Sequence, residues 1–193
     1  MIEKNPALGY RGMSRSLDEL QTMLIPEILA IKQLVDKGYH KLGVFTPMSR
    51  FFSEYKTWKK LIENIGLKKI KFGLQIETPS IALTFEKFIP YVDFVSFGSN
   101  DLTQFTLALD RTDPRLQKYF NESDEAVLKL FEYVIKLCRK NNIESNICGQ
   151  AGSNWKVLER LLDLGLNSTS VFPRPEVVLN IKKKIESKEK SIS

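Results

Sequence analysis

The strongest constraint on the fold is an alternation in which short apolar runs are each followed by a stretch whose apolar residues recur at three and four. The runs fall at Leu42 to Phe45, Ile70 to Ile76, Phe94 to Phe97, Glu144 to Cys148 and Thr169 to Phe172. Helical patterns accompany them: one with Phe52, Tyr55, Trp58, Leu61 and Ile62, another from about Ser80, then Glu125 to Lys140, Trp155 to Leu164, and a last one towards the C-terminus. Ahead of the first run, Leu20, Met23, Leu24, Ile28, Ile31, Leu34 and Val35 predict a helix from Ser16 to about Lys37. Apolar strands alternating with helices predict an α/β fold with parallel pairing, strands apolar on both faces and helices outside. A closed barrel of this kind takes eight such units and typically ~250 residues. This chain of 193 residues holds five, so the choice lies between an open sheet and a barrel lacking its first units. An open sheet would expose an edge and an inner apolar face, which predicts a homo-oligomer.

Composition narrows the function classes. With 42% hydrophobic and 27% charged residues, the chain has the balance of one ordinary soluble domain. Its two cysteines, Cys138 and Cys148, lack a short disulfide spacing and are expected to be free thiols in a reducing compartment. The start, Met-Ile-Glu-Lys-Asn-Pro, has no basic region followed by an apolar run, and no stretch approaches the ~20 apolar residues that span a bilayer, so a cytoplasmic protein is expected. The formal charge is +6, but much of the excess lies in Lys182, Lys183, Lys184, Lys188 and Lys190, which read as the solvated face of a last helix rather than a nucleic-acid surface. The expected division is a domain over 1–185 and a basic polar tail over 186–193.

The informative polar residues sit just after the apolar runs: Thr46 and Arg50, Glu77, Asn100 and Asp101, and Cys148 with Gln150. In parallel α/β folds these strand ends share one face, where ligands bind. Glu77 and Asp101 are hard oxygen ligands suited to Mg²⁺, which takes one or two carboxylates and fills its remaining positions with water and substrate oxygens. Singly, each carboxylate would serve equally well as a cap for the helix that follows. Their occurrence on successive strand ends, one inside the small-residue segment Gly98-Ser99-Asn100-Asp101, favours a metal site. Cys138 lies among Val134, Ile135 and Leu137 and reads as an inert core thiol.

The segment Gly98 to Gln104, followed by Leu107-Ala108-Leu109-Asp110-Arg111, resembles the signature of the phosphoenolpyruvate-utilising enzymes. That family comprises phosphoenolpyruvate synthase, pyruvate phosphate dikinase and enzyme I of the sugar phosphotransferase system. Four further segments match in order: Asn5-Pro6-Ala7-Leu8-Gly9-Tyr10-Arg11-Gly12, Thr46-Pro47-Met48, Ile76-Glu77-Thr78-Pro79-Ser80 and Ile147-Cys148-Gly149-Gln150. Ser99 and Gln150 resemble the synthase branch, since the other branches more often carry threonine and glutamate there.

The resemblance implies the C-terminal part, about five β/α units, of a (β/α)8 barrel of the TIM type that binds phosphoenolpyruvate and pyruvate. It implies Glu77 and Asp101 as Mg²⁺ ligands, and Ser99, Asn100, Asp101 and Gln150 as substrate contacts. It implies that Arg11 and Arg111 hold phosphoryl oxygens, with Arg50 on the same rim. Cys148 would be the acid and base at the pyruvate methyl carbon, given a usable pKa by metal and arginines. The family's phosphoryl carrier is a histidine on another domain, and His40, at the entry to a strand, is not that histidine. The partners implied are the phosphohistidine and nucleotide-binding domains of the same enzyme. Gln75, where methionine is common, and Phe172, where a small or polar residue is usual, depart from the family pattern. Without the resemblance, Arg11 reads as a turn salt bridge, Arg111 as a partner of Asp110, and the chain as compatible with a metal-dependent aldolase or a non-catalytic subunit.

Overall fold

The computed structural model describes residues 5–39, 41–67 and 70–192. His40, set aside above as a phosphoryl carrier, lies outside the described residues. The strands are β1 (Gly43–Thr46), β2 (Lys71–Ile76), β3 (Phe94–Gly98), β4 (Glu144–Cys148) and β5 (Ser168–Thr169). They form one sheet in the order β1-β2-β3-β4-β5, and every neighbouring pair is parallel. The helices are α1 (Gly12–Asp18), α2 (Ile25–Asp36), α3 (Phe52–Asn64), α4 (Pro79–Leu83), α5 (Ser99–Thr106), α6 (Glu125–Lys140), α7 (Trp155–Leu164) and α8 (Pro175–Ile192).

The clearest helices form where capping and periodicity agree. The Asp124 side chain accepts from the Ala126 N–H at 2.9 Å, which satisfies one of the open donors at the start of α6. From there Val127, Phe131, Val134, Ile135 and Cys138 fall on one buried face. Phe131 packs edge-to-face on Phe97 of β3 at 5.2 Å, and Trp58 of α3 packs likewise on Phe72 of β2 at 6.0 Å. The core therefore lies between one face of the sheet and the helices.

That face is the apolar one and the other is mostly polar, which corrects the expectation of strands apolar on both sides. The register aligns Leu74 with Val95, and Phe97 with Ile147, on the helix side. The opposite side carries Gly43, Lys71, Gly73, Gln75, Ser96, Glu144 and Asn146, with Phe45 and Phe94 as an edge-to-face pair. Polar bonds cross it: Lys71 Nζ meets Glu144 Oε2 at 2.8 Å, Ser96 Oγ donates to Asn146 Oδ1 at 3.2 Å, and Asn146 Nδ2 donates to Ser168 Oγ at 2.9 Å. The inner apolar face invoked for self-association is thus reduced to Phe45 and Phe94 in the described strands, because the other residues on that side are glycine or polar.

Three other boundaries differ from expectation. The first helix is split, with a wide π-type turn at Leu20–Leu24 between α1 and α2. Pro26 has no N–H to continue the ladder there, and widened turns absorb such a gap. The last strand stops at Thr169: Ser170 N–H still donates to Ile147 O of β4 at 2.8 Å, and by Phe172 the chain has turned away, its N–H donating to Ser153 Oγ at 2.8 Å. The stretch read as a tail from 186 continues α8 to Ile192, and Lys188 Nζ returns to Asp163 Oδ1 on α7 at 2.7 Å. Among the described residues no helix is long and apolar enough to cross a membrane.

Candidate active site

The carboxyl ends of β1 to β4 converge through hydrogen bonds that run from one strand end to the next. After β1, the Met48 N–H donates to Glu77 Oε2 at 2.6 Å. Met48 takes a left-handed φ of 41°, uncommon for a residue with a Cβ, and strain of that kind gathers at functional sites. Glu77 follows β2 and is 6% exposed. Thr78, not Glu77, caps α4, its Oγ1 accepting from the Ile81 N–H at 3.4 Å. Burial raises the Glu77 pKa; the Met48 N–H pulls it back, Asp101 raises it further, and Arg11 and Arg111 lower it.

Glu77 is admitted by Gly98 at the end of β3. A Cβ on Gly98 would lie 2.5 Å from Glu77 Cγ and 2.6 Å from its Oε1. Asp101, in the first turn of α5, is 7% exposed, and its Oδ1 is buried without a hydrogen-bond partner. It does not act as a cap. Arg11 Nη1 stands 3.9 Å from Asp101 Oδ1, and Arg111 Nη2 stands 3.4 Å from Oδ2. The first is too long for a hydrogen bond, which agrees with the unpartnered oxygen. The two arginines thus meet at Asp101, not at a turn or at Asp110 as they would as surface residues. Two carboxylates and two guanidinium groups share one strand-end cluster.

This donor set suits a hard divalent cation. Among the described residues no group of three or more His, Cys, Asp or Glu is placed to hold a metal, and a cation in this cluster would meet two carboxylates, Glu77 and Asp101. An orphaned buried carboxylate oxygen and a second carboxylate pushed towards its neutral form by burial are both conditions that a cation relieves. Mg²⁺ accepts one or two carboxylates and draws its other ligands from water and substrate.

The third strand end divides in role. Ser99, expected to touch substrate, is fully buried: its hydroxyl donates to Cys148 O at 2.7 Å and accepts from the Ala151 N–H at 3.3 Å. Its side chain joins the end of β3 to the end of β4 and the turn after it. Asn100 Oδ1 accepts from the Gln150 N–H at 3.0 Å, which identifies the oxygen end of the amide and turns the Nδ2 donors to the other side. Gly149 turns the chain there with φ of 81°, and a Cβ would lie 2.4 Å from Ser99 Oγ. Gln150 is exposed. The Cys148 S–H donates to Phe97 O at 3.2 Å. Burial raises its pKa, a hydrogen bond with the Ser96 side chain opposes the rise, and the Glu77 and Asp101 carboxylates add to it. Asn100, Cys148 and Gln150 line a cleft of about 690 Å³ that runs to Phe172 and Pro173, with Glu122 as its carboxylate; Glu77, Asp101, Arg11 and Arg111 are not among its lining residues.

Arg50 is not on the rim. Its guanidinium donates to Gly9 O at 2.9 Å, Arg11 O at 3.0 Å and Ser14 Oγ at 3.1 Å. Thr46 is likewise internal, its hydroxyl accepting from Ser49 Oγ at 3.0 Å. Sequence reasoning missed the Met48 N–H and the Glu54 carboxylate, which accepts from the Arg50 and Phe51 N–H groups at 2.7 and 3.2 Å. The only signal for either was the Thr46-Pro47-Met48 match, and that match names no backbone donor.

Comparison with known proteins gives the family. A family described as PEP-utilising enzyme, PEP-binding domain, matches residues 1–190. A probable phosphoenolpyruvate synthase of Archaeoglobus fulgidus is 44% identical over 99% of this chain and 25% of its own length. The phosphoenolpyruvate synthase of Pyrococcus furiosus is 41% identical over 98% of this chain and 23% of its own, and that of Helicobacter pylori 34% over 95% and 24%. The chain therefore spans about a quarter of the length of these relatives. Its five-stranded parallel sheet is that of a partial β/α barrel, and the chain belongs to the family of phosphoenolpyruvate-utilising enzymes as their phosphoenolpyruvate-binding domain.

Proposed function

We propose that this chain binds Mg²⁺ together with pyruvate or phosphoenolpyruvate, as the C-terminal catalytic part of a phosphoenolpyruvate synthase. The complete enzyme would convert ATP, pyruvate and water into AMP, phosphoenolpyruvate and phosphate, taking the phosphoryl group from a phosphohistidine on another domain. The observation that carries this reading is the buried Asp101 carboxylate, its Oδ1 unpartnered, set with Glu77 between Arg11 and Arg111.

Glu77 and Asp101 would hold the cation. Once bound, Mg²⁺ would supply positive charge against the negative charge that develops on the enolate oxygen. Arg11 and Arg111 present guanidinium forks to phosphoryl oxygens, a geometry to which a planar, always-charged donor is suited. The Asn100 amide donates to carboxylate or phosphoryl oxygen. Cys148 exchanges the proton with the methyl carbon, removing it as phosphoenolpyruvate forms and returning it in the reverse direction.

The test is calorimetric titration of the chain with oxalate, a planar dianion resembling the pyruvate enolate, with and without Mg²⁺. Oxalate should bind only with Mg²⁺, and Glu77→Gln and Asp101→Asn should each weaken binding by roughly a hundredfold, the upper order seen when a metal ligand's support is lost. Binding without Mg²⁺, or folded variants that bind as well as the native chain, would overturn the assignment.

A further inference from the structure

The proposed site depends on Arg11, which lies on a segment built of turns at the surface, with Leu8 N–H donating to Asn5 O at 3.1 Å and Gly9 N–H to Pro6 O at 3.2 Å. Leu8 is 70% exposed and Tyr10 47% exposed, and the nearest deeply buried anchor in the chain is Met13. Arg11 precedes α1 with extended backbone, and its own side chain caps nothing. A long side chain on such a segment loses rotamer and backbone freedom when it is fixed against Asp101, and that cost must be met elsewhere.

Arg50 meets it from behind. One nitrogen, Nη1, donates to Arg11 O at 3.0 Å and Ser14 Oγ at 3.1 Å, while Nη2 donates to Gly9 O at 2.9 Å. Ser14 Oγ passes the contact on to Glu54 Oε1 at 2.5 Å, and Glu54 Oε2 returns it to the Arg50 N–H at 2.7 Å. The ring is closed: guanidinium, hydroxyl, carboxylate and backbone bracket residues 9–14 against the start of α3. The loop after β1 is itself tied to the start of α4, just beyond Glu77, with Thr78 Oγ1 donating to Ser49 O at 3.1 Å and Ser80 Oγ to Arg50 O at 3.1 Å. The frame that holds Glu77 therefore also holds Arg11.

Resting on the site reading above, we propose that Arg50, braced by Glu54 and Ser14, is a positioning residue that sets the approach of Arg11 to the bound anion without touching it. Only a planar fork can reach two carbonyls and a hydroxyl in this way, so a lysine at the same place would keep the charge and lose the brace.

The experiment measures Mg²⁺-dependent oxalate affinity of the native chain, Arg50→Lys, Arg50→Met, Arg11→Ala and the double variant Arg11→Ala/Arg50→Lys. Hydrogen exchange of the segment around residues 9–14 is followed in each. Both Arg50 variants should speed exchange there and weaken oxalate roughly ten- to a hundredfold, the order set by an ångström-scale misplacement. In the Arg11→Ala background Arg50→Lys should cost nothing further, as expected of residues acting through one another. Unchanged exchange, a fully native Arg50→Lys, or an equal loss in the Arg11→Ala background would overturn the positioning role while leaving the site intact. Failure of the native chain to bind oxalate with Mg²⁺ would instead overturn the site reading, and this role with it.

Discussion

Gly98→Ala is the sharpest probe of how the strand ends are packed. The added Cβ would lie 2.5 Å from Glu77 Cγ, 2.6 Å from Oε1 and 2.9 Å from Cδ, roughly an ångström short of ordinary contact at 3.4–4 Å. Glu77 cannot yield freely, because its Oε2 is held by the Met48 N–H at 2.6 Å and the residue is buried. Gly98 itself has φ of −87°, so the substitution carries no intrinsic backbone penalty and its cost is the collision alone. Overpacking of this kind costs about 1–3 kcal/mol, which urea denaturation resolves as a lower midpoint with an unchanged slope. Displacing a positioned carboxylate by about an ångström should also weaken Mg²⁺-dependent oxalate binding by roughly a hundredfold. A variant with the native midpoint and native affinity would refute both the close approach and the role given to Glu77.

Two further outcomes follow from buried groups. Ser99→Ala removes the hydroxyl from Cys148 O and from the Ala151 N–H, leaving both backbone groups unpaired, and should cost about 1–3 kcal/mol by chemical denaturation; an unchanged midpoint would show that Ser99 does not brace β4. Burial pushes the Cys138 thiol from 9.0 up to about 12, so between those values the folded chain keeps a proton that the unfolded chain releases. Stability from this group is intact below pH 9 and falls as pH rises through that window. The decline above pH 9 should be shallower in Cys138→Ala than in the native chain, and equal slopes would contradict the burial of this thiol.

Much of the scaffold was legible because its signals are local. The boundaries of α6, β4 and α7 fall where periodicity places them, since each element satisfies its own hydrogen bonds and turns one regular face to the core. The strand-end positions of Glu77, Asp101 and Cys148 follow from the same alternation, and so does the face on which they meet. Pro26 and Phe172 mark where local reading stopped short, because a missing donor and a bond to Ser153 altered the ends of otherwise regular elements.

By itself, then, the sequence determined a parallel α/β scaffold and the chemical types at its strand ends. Tertiary structure alone decided how those types are held. Glu77 is held by an N–H from 29 residues away, Ser99 turns inwards to a carbonyl 49 residues away, and Arg50 turns back to one 39 residues away. A hydroxyl that braces and one that binds substrate read alike in a chain; so do a guanidinium that clamps and one that receives an anion. They part only when the sheet brings distant strand ends together and burial dictates which polar atoms must be satisfied and which are left facing a ligand.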